Sequence, residues 1–398
     1  MKIPTPDRRH EILISLRNAK MARSPHAYVR GNTTHFYEWL HSQHGRALPH
    51  GPAIWICGDC HLGNLGPLAD TDGLVEVQIR DFDQTLIGNP AHDLLRLALS
   101  LATAASGSNL PGVVTAHMLE HMMEVYEQAF ATDAERVPLH KPDFIKIVIR
   151  RAAKRTWKQL AKDRNVKTQP KIPLGNDFWP MSKSEKNGIS QLFETQEMLN
   201  LVTTLKSRDD AAKINVLDAA YWVKGCSSLG LLRYAVLLSV GKDDYCLIDI
   251  KEAIQAAAPR YPHASIPHDN ARRVVKGAQQ MSPALGERMI SHRFLDHGVF
   301  IRELLPQDLK LEINQMSVKE AVEMASYLAY VVGCAHARQM DEATRKAWGH
   351  ELKLNCPKSL ATPAWLWQAV VRLISRHEAG YLEHCRKYAL GLQGSPPS

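Results

Sequence analysis

The densest run of polar side chains among apolar neighbours is Cys57-Gly58-Asp59-Cys60-His61-Leu62-Gly63-Asn64, which leaves a short apolar stretch and enters a turn. Asp59 and Asn64, five residues apart in this one loop, are the pair of groups that phosphoryl transfer needs. The carboxylate orients or deprotonates an attacking hydroxyl, and the amide oxygen helps to hold magnesium against the phosphates. Magnesium takes oxygen ligands and uses one or two protein carboxylates. Arg80-Asp81-Phe82-Asp83 supplies them at the end of the next apolar run, and hairpin geometry would return Asp81 to Asn64. Cys57 and Cys60 form a C-x-x-C pair, but no second pair and no suitably spaced histidines complete a zinc site. Asp93, beyond Gly88-Asn89-Pro90, reads as a cap at a helix start.

These residues need elements to position them. Residues 7–45 read as helical, and Ala53–Cys57 and Leu74–Ile79 read as two buried strands that pair. Leu94, Ala98, Leu101 and Ala105 share one helix face, and a second helix is expected over Val114–Phe130. A basic amphipathic helix is expected over 142–163, where Arg150, Lys154, Lys158 and Lys162 recur every fourth residue, and 165–186 reads as a loop. Strands return at Ala219–Lys224, Leu231–Val240 and Tyr245–Ile250, followed by a helix at Arg272–Met281 and a strand pair, Met289–Leu295 with Val299–Leu305. Ala321, Met324, Ala325, Leu328, Val332 and Ala335 then hold a long helical rhythm, and two more helices finish the chain.

Gly58-Asp59, His61, Asn64, Asp81-Phe82-Asp83 and Gly88-Asn89-Pro90-Ala91-His92-Asp93-Leu94 resemble the catalytic segment of the aminoglycoside phosphotransferase and choline kinase group. The resemblance implies Asp59 as catalytic base, His61 as organiser of the catalytic loop, and Asn64 and Asp81 as magnesium ligands, with Asp83 of the same D-F-D word beside them. Asn89 stands where that pattern has an acid. Lys224-Gly225-Cys226-Ser227-Ser228-Leu229-Gly230, then two strands, then Lys251, resemble in order the small lobe of a kinase. Gly225, Ser227, Ser228, Gly230 and Lys251 would then clamp ATP, with Glu303 and Leu305 at the hinge. The implied fold is α+β: a two-lobed, kinase-like, circularly permuted chain with a mostly helical large lobe and a small antiparallel-sheet lobe. Residues 1–215 would form the catalytic lobe, 216–310 the nucleotide clamp, and 311–398 helices returning to the first part. This order makes a geometric demand: His336 must lie near the strand entering Gly58, and Lys251 must face Asp81. Nearly the whole chain also resembles an uncharacterised bacterial family, domain of unknown function 2252, through Lys20 to Gly31, the Cys57 to Gly66 loop, Lys154-Arg155-Thr156, Lys251-Glu252-Ala253 and Ala335-His336-Ala337-Arg338. Lys276 stands where that family often has a glutamate, which leaves Glu252 and Glu287 as candidate partners for Lys251.

Composition sets the outer bounds. At 398 residues the chain exceeds one ordinary core, and 45% apolar with 23% charged residues is the balance of a folded, non-fibrous protein. Seven scattered cysteines read as reduced thiols, no stretch has membrane-spanning length, and the start lacks a secretory core, so a cytoplasmic location is expected. A net charge of +8 favours anionic partners. The function expected is ATP- and Mg2+-dependent transfer to a hydroxyl of an unknown small acceptor, with Arg30, Arg150 and Lys154 as candidate substrate contacts. Nucleotidyl transfer to protein by the same site, or a nucleotide-sensing module without turnover, are the alternatives. A basic RNA- or membrane-surface binder ranks last, and oligomeric state is silent in the sequence.

Overall fold

Pro25 and Asn32 cut the helical run expected at residues 7–45 into three pieces. The computed structural model describes residues 3–42, 48–108, 110–131, 139–154, 171–241, 244–261, 264–308, 317–353 and 364–390. In it α1 is Arg9–Met21, α2 Pro25–Gly31 and α3 Thr33–Leu40. The Ser24 hydroxyl accepts from the Ala27 amide at 3.1 Å, and the Asn32 side chain from the His35 amide at 3.2 Å, so each new helix begins on its own cap.

The expected pairing of 53–57 with 74–79 is not formed. Strand β1 (Ile54–Ile56) pairs with β4 (Leu86–Gly88), and β3 (Val75–Ile79) pairs with β2 (Leu65–Ala69). Strand β2 was hidden by its composition, Leu-Gly-Pro-Leu-Ala. In a two-stranded ribbon every strand is an edge, so Pro67, lacking an N–H, is tolerated opposite Val77. The correction moves strand partners but not the acids: Leu65 faces Ile79, which still sets Arg80 and Asp81 beside Asn64.

Helices α4 (Ala91–Gly107), α5 (Gly112–Gln128) and α11 (Val318–Ala337) build the larger core, with α11 lying along α5 and the strands β1 to β4 packed at one end. Helix α6 is Asp143–Ala153, and the later part of the helix expected over 142–163, with Lys158 and Lys162, falls in residues 155–170, outside the described ones. The expected loop 165–186 instead holds β5 (Phe178–Trp179) and the start of α7 (Lys183–Leu192), which is followed by α8 (Gln196–Thr203).

Strands β6 (Ile214–Trp222), β7 (Arg233–Val240), β8 (Asp244–Glu252), β9 (Met289–Phe294) and β10 (His297–Leu304) join β5 in one antiparallel sheet, ordered β5-β6-β7-β8-β10-β9. Helices α9 (Asn270–Met281) and α10 (Pro283–Gly286) connect β8 to β9; α12 (Glu342–Lys353) and α13 (Ala364–Tyr388) follow α11. The architecture is therefore α+β, with every strand pair antiparallel. No helix among the described residues is long and apolar enough to cross a membrane.

The two-residue period of a strand divides the sheet's faces. Cys246, Ile248 and Ile250 enter a core shared with Leu13 of α1 and with α7 and α8. Leu247, Asp249 and Lys251 alternate with them and belong to the other face, where Leu247 packs with Trp222, Ala235, Leu237 and Leu304. Arg9 fixes α1 to this half by pairing with Glu185 at 2.7 Å, and Tyr234 donates to the same carboxylate at 2.8 Å.

Helix α13 closes over α2 and α3 through His377, whose ring is 2% exposed and meets the His35 ring edge-on at 5.1 Å. Burial pushes His377 down to about 3, so it is neutral in the folded chain and takes up a proton only on unfolding across the window below 6.5. Its contribution is complete above that window and is lost as pH falls toward 3. At pH 5 the cost is about 2 kcal/mol. Urea midpoints at pH 7.5 and 5 are expected to fall less steeply in His377→Phe than in wild type; an identical fall would show that this histidine is not the acid-sensitive group.

Candidate active site

Strand β1 delivers the chain to Gly58, whose φ of +75° and whose approach to the Gln84 carbonyl leave no room for a side chain: a Cβ there would sit 2.1 Å from that oxygen. The backbone amides of Cys57 and Gly58 then point at Asp93 in the first turn of α4. The Asp93 carboxylate accepts from them at 2.7 and 2.9 Å. It also accepts from His336 Nε2 at 3.2 Å, and His336 Nδ1 accepts from the Tyr126 hydroxyl at 2.9 Å. Tyr37 donates to the Gly58 carbonyl at 2.7 Å. Asp93 is thus not the helix cap expected from sequence. Helix α4 starts after Pro90 without a side-chain cap, the Ala91 amide is met by Asn89, and the buried Asp93 holds the loop instead.

Cys57, Cys60 and Asp93 are the one metal-capable group of His, Cys, Asp and Glu found among the described residues. The Cys57 thiol is pushed well up by its bond to Cys60 and by burial; Cys60 is lowered most by its contact with Cys57, but burial together with the charges of Asp93 and Asp59 leaves it raised. Thiols held protonated are poor metal ligands, and the carboxylate is already engaged.

Asp59 enters the loop with one oxygen committed: Oδ1 accepts from Nε of Arg96 at 2.8 Å, and Arg96, fully buried, donates through Nη2 to the Val29 carbonyl at 2.6 Å. His61 Nε2 stands 3.9 Å from Oδ2. Burial, with Arg30 and Arg96 near by, holds His61 well below the usual histidine range, so that contact is not an ion pair. The Asn64 amide nitrogen donates to the Asp59 carbonyl at 2.9 Å, which leaves its oxygen as the free end, and the Asn64 carbonyl accepts from the Arg80 amide at 2.7 Å.

Lys251, at the end of β8, reaches across to these loops. It pairs with Asp83 and stands 3.6 Å from Asp81. Neither Glu252 nor Glu287 is its partner: Glu252 accepts from the Leu232 amide and His297, and Glu287 lines a separate surface depression. Burial would raise Asp81, but Lys251 and Arg302 outweigh it and hold this carboxyl well below its ordinary range. Asp83 is pushed up by burial and by the charge of Asp81. Its Oδ1 is buried without a hydrogen-bond partner. An all-oxygen donor set thus gathers from Asn64, Asp81 and Asp83.

A cleft of about 570 Å³ opens over this set. Asp59, His61, Asn64, Asp81, Asp83, Lys251, Gly225, Ser227, Ser228 and Arg30, all candidates from sequence, line it. Gly230 does not; it turns toward His10 and Ile14 of α1. Glu303 and Leu305 do not either: Arg208 holds the Glu303 carboxylate at 2.7 and 2.8 Å, and Leu305 is buried. Arg150 and Lys154 are exposed at the end of α6, which packs on β2 and β3, and neither lines the cleft.

Several other positions that line or support the cleft carry no recognised role in the sequence. Lys20 and Arg23 line the cleft from the end of α1 and the turn before α2, and Gly63 lets Arg30 lie against the loop, since a Cβ there would be 2.7 Å from Nη2. From the sheet, Arg233 and Arg302 grip Asp249: Arg233 at 2.8 and 2.6 Å, Arg302 at 3.3 and 3.2 Å. Burial opposes ionisation of Asp249, but the two guanidiniums overcome it and hold the carboxyl far below its usual range. Asp249 and Lys251, two residues apart in the buried run of β8, were the available signal.

Removing the Asp93 carboxylate strands two buried amides and one imidazole. Asp93→Ala is expected to cost about 3–5 kcal/mol, and Asp93→Asn less, because its remaining oxygen still accepts one amide. Urea unfolding followed by fluorescence checks this; a loss below 1 kcal/mol in the alanine variant would show that the loop is held by other contacts.

No curated protein and no solved structure matches this chain. A family model described as an uncharacterized protein conserved in bacteria (DUF2252) matches residues 9–387, and the chain belongs to that family.

Proposed function

We propose that this chain is an ATP- and magnesium-dependent phosphotransferase acting on a hydroxyl of a small molecule, built as a circularly permuted kinase-like arrangement. One observation carries the reading: a base candidate, an oxygen donor set and a strand-borne lysine, drawn from segments far apart in sequence, meet in a single cationic cleft. The permuted arrangement is supported by two proximities. His336, at the end of α11, is joined through Asp93 to Gly58, and Lys251 faces Asp81 and Asp83.

The donor set suits magnesium, because its members are oxygens and Asp83 Oδ1 has no other partner. Bound there, the ion would neutralise charge on the transferring phosphoryl group. The remaining work falls to the chain. Asp59, held at Oδ1 by Arg96, keeps Oδ2 to accept the proton of the acceptor hydroxyl. As that oxygen bonds to the terminal phosphorus, the bond to the bridging oxygen breaks and ADP leaves with its charge met by the cleft's cations. Arg30 and Gly63 also border a neighbouring cavity of about 590 Å³. His26 Nδ1 and His377 Nε2 are buried there without partners, which makes it the natural seat for a hydroxylated acceptor.

Thermal unfolding with ATP, magnesium and both together tests the reading. At about 100 times its dissociation constant a ligand adds roughly 2.7 kcal/mol, and that shift is expected only with both present and not in Asp81→Asn. Asp59→Asn is expected to retain the shift while losing about 10²- to 10⁴-fold in ATP turnover. A folded protein that shows no shift under any condition is not a nucleotide enzyme of this kind.

A further inference from the structure

The described lining of the cleft is rich in cations and poor in the apolar surface that a purine needs. Eight lysines and arginines line it against four aspartates, and its described lining holds no leucine, isoleucine, methionine, phenylalanine, tyrosine or tryptophan. A base-binding slot is ordinarily apolar, because a purine gains most of its affinity by leaving water between non-polar surfaces. Here the sheet face above the loops is occupied twice over. Nearest Lys251 lies the ionic group Arg233–Asp249–Arg302, and beyond it Leu247, Leu304, Trp222 and Ala235 are packed shut.

The strand end where a base would find its hydrogen bonds is also spent. The Glu303 carbonyl accepts from Arg288 at 3.1 Å, its carboxylate is held by Arg208, and the Leu305 amide donates to Asp308 at 3.2 Å. Opening that slot would strand several buried polar groups at once.

We infer that the phosphate donor is recognised by its triphosphate chain alone, so that the nucleobase contributes almost nothing to affinity. This rests on the phosphotransferase reading above and widens its donor from ATP to any triphosphate, nucleoside-borne or inorganic. On the helical side Lys20, Arg23 and Arg30 supply the cations, opposite Lys251 on the sheet.

The test is calorimetric titration of the full chain in magnesium with ATP, GTP, inorganic tripolyphosphate and adenosine. The expected result is dissociation constants within tenfold of one another for the three triphosphates, no binding of adenosine, and a parallel loss for all three triphosphates in Arg30→Gln. A preference for ATP over tripolyphosphate of more than tenfold, or measurable adenosine binding, overturns the inference while leaving the phosphotransferase reading intact. Failure of all three triphosphates to bind the folded protein overturns both.

Discussion

One carboxylate, that of Asp93, accepts three hydrogen bonds from two segments that are 35 and 243 residues away in sequence. It is fully buried, so its charge is tolerable only because each donor is aimed at it. Everything downstream inherits that geometry. The fixed amides of Cys57 and Gly58 set the direction in which the loop leaves β1. The loop's direction decides where Asp59 and Asn64 fall, and the β2–β3 hairpin then carries Asp81 and Asp83 to the same place. The tie to His336 matters as much, because it makes the end of the long helix α11 part of the loop's support and not only of the helical core.

The sheet side obeys the same electrostatic rule with opposite economy. A buried ion pair is seldom a net source of stability, since desolvation offsets most of its Coulomb gain. The face of the sheet nonetheless carries Arg233, Asp249, Lys251 and Arg302 where aliphatic side chains would pack at lower cost. On the proposed reading this face has work besides folding, since an array of fixed cations facing two carboxylates is suited to an anion that arrives with a metal. The opposite face of the same strands buries Val236, Leu238, Ile248, Ile250 and Ile301 in a mainly apolar core, with the Arg208–Glu303 and Arg9–Glu185 pairs at its margins.

Element identity was legible wherever periodicity was clean: α4, α5, α9, α11 and the strands β7 to β10 follow their apolar rhythm. The polar lining of the cleft was legible because Asp59, His61, Asn64, Asp81 and Asp83 stand at fixed spacing inside apolar segments. What failed had identifiable causes. Strand β2 lost its signature to Gly66 and Pro67, and the wrong strand was therefore given to β3. Asp93 sits where a capping residue would, and only burial and the aim of two amides distinguish the roles. Glu303 and Leu305 were assigned by analogy with a hinge, and Arg208, from a segment with no recognisable motif, claims the glutamate. Lys20 lies in the last turn of α1 and Arg23 stands in the turn that follows it; their convergence with Arg30 on the cleft is a tertiary fact that no local pattern carries.

On the proposed reading, the arrangement of charges also fixes the order in which ligands help one another. Asp81, Asp83 and Lys251 together carry one net negative charge, and Asp83 is already paired with the lysine. A dication entering alone must compete with Lys251 for Asp83 and leaves the cluster positive, in a cleft where cations already outnumber carboxylates. A triphosphate entering alone meets those cations but also faces two carboxylates at short range. Together the two ligands remove both conflicts, since the ion screens the carboxylates from the phosphates and the phosphates give Lys251 an alternative partner. Metal and donor binding are therefore coupled by the charges the chain has fixed in place, without any need for a moving lid.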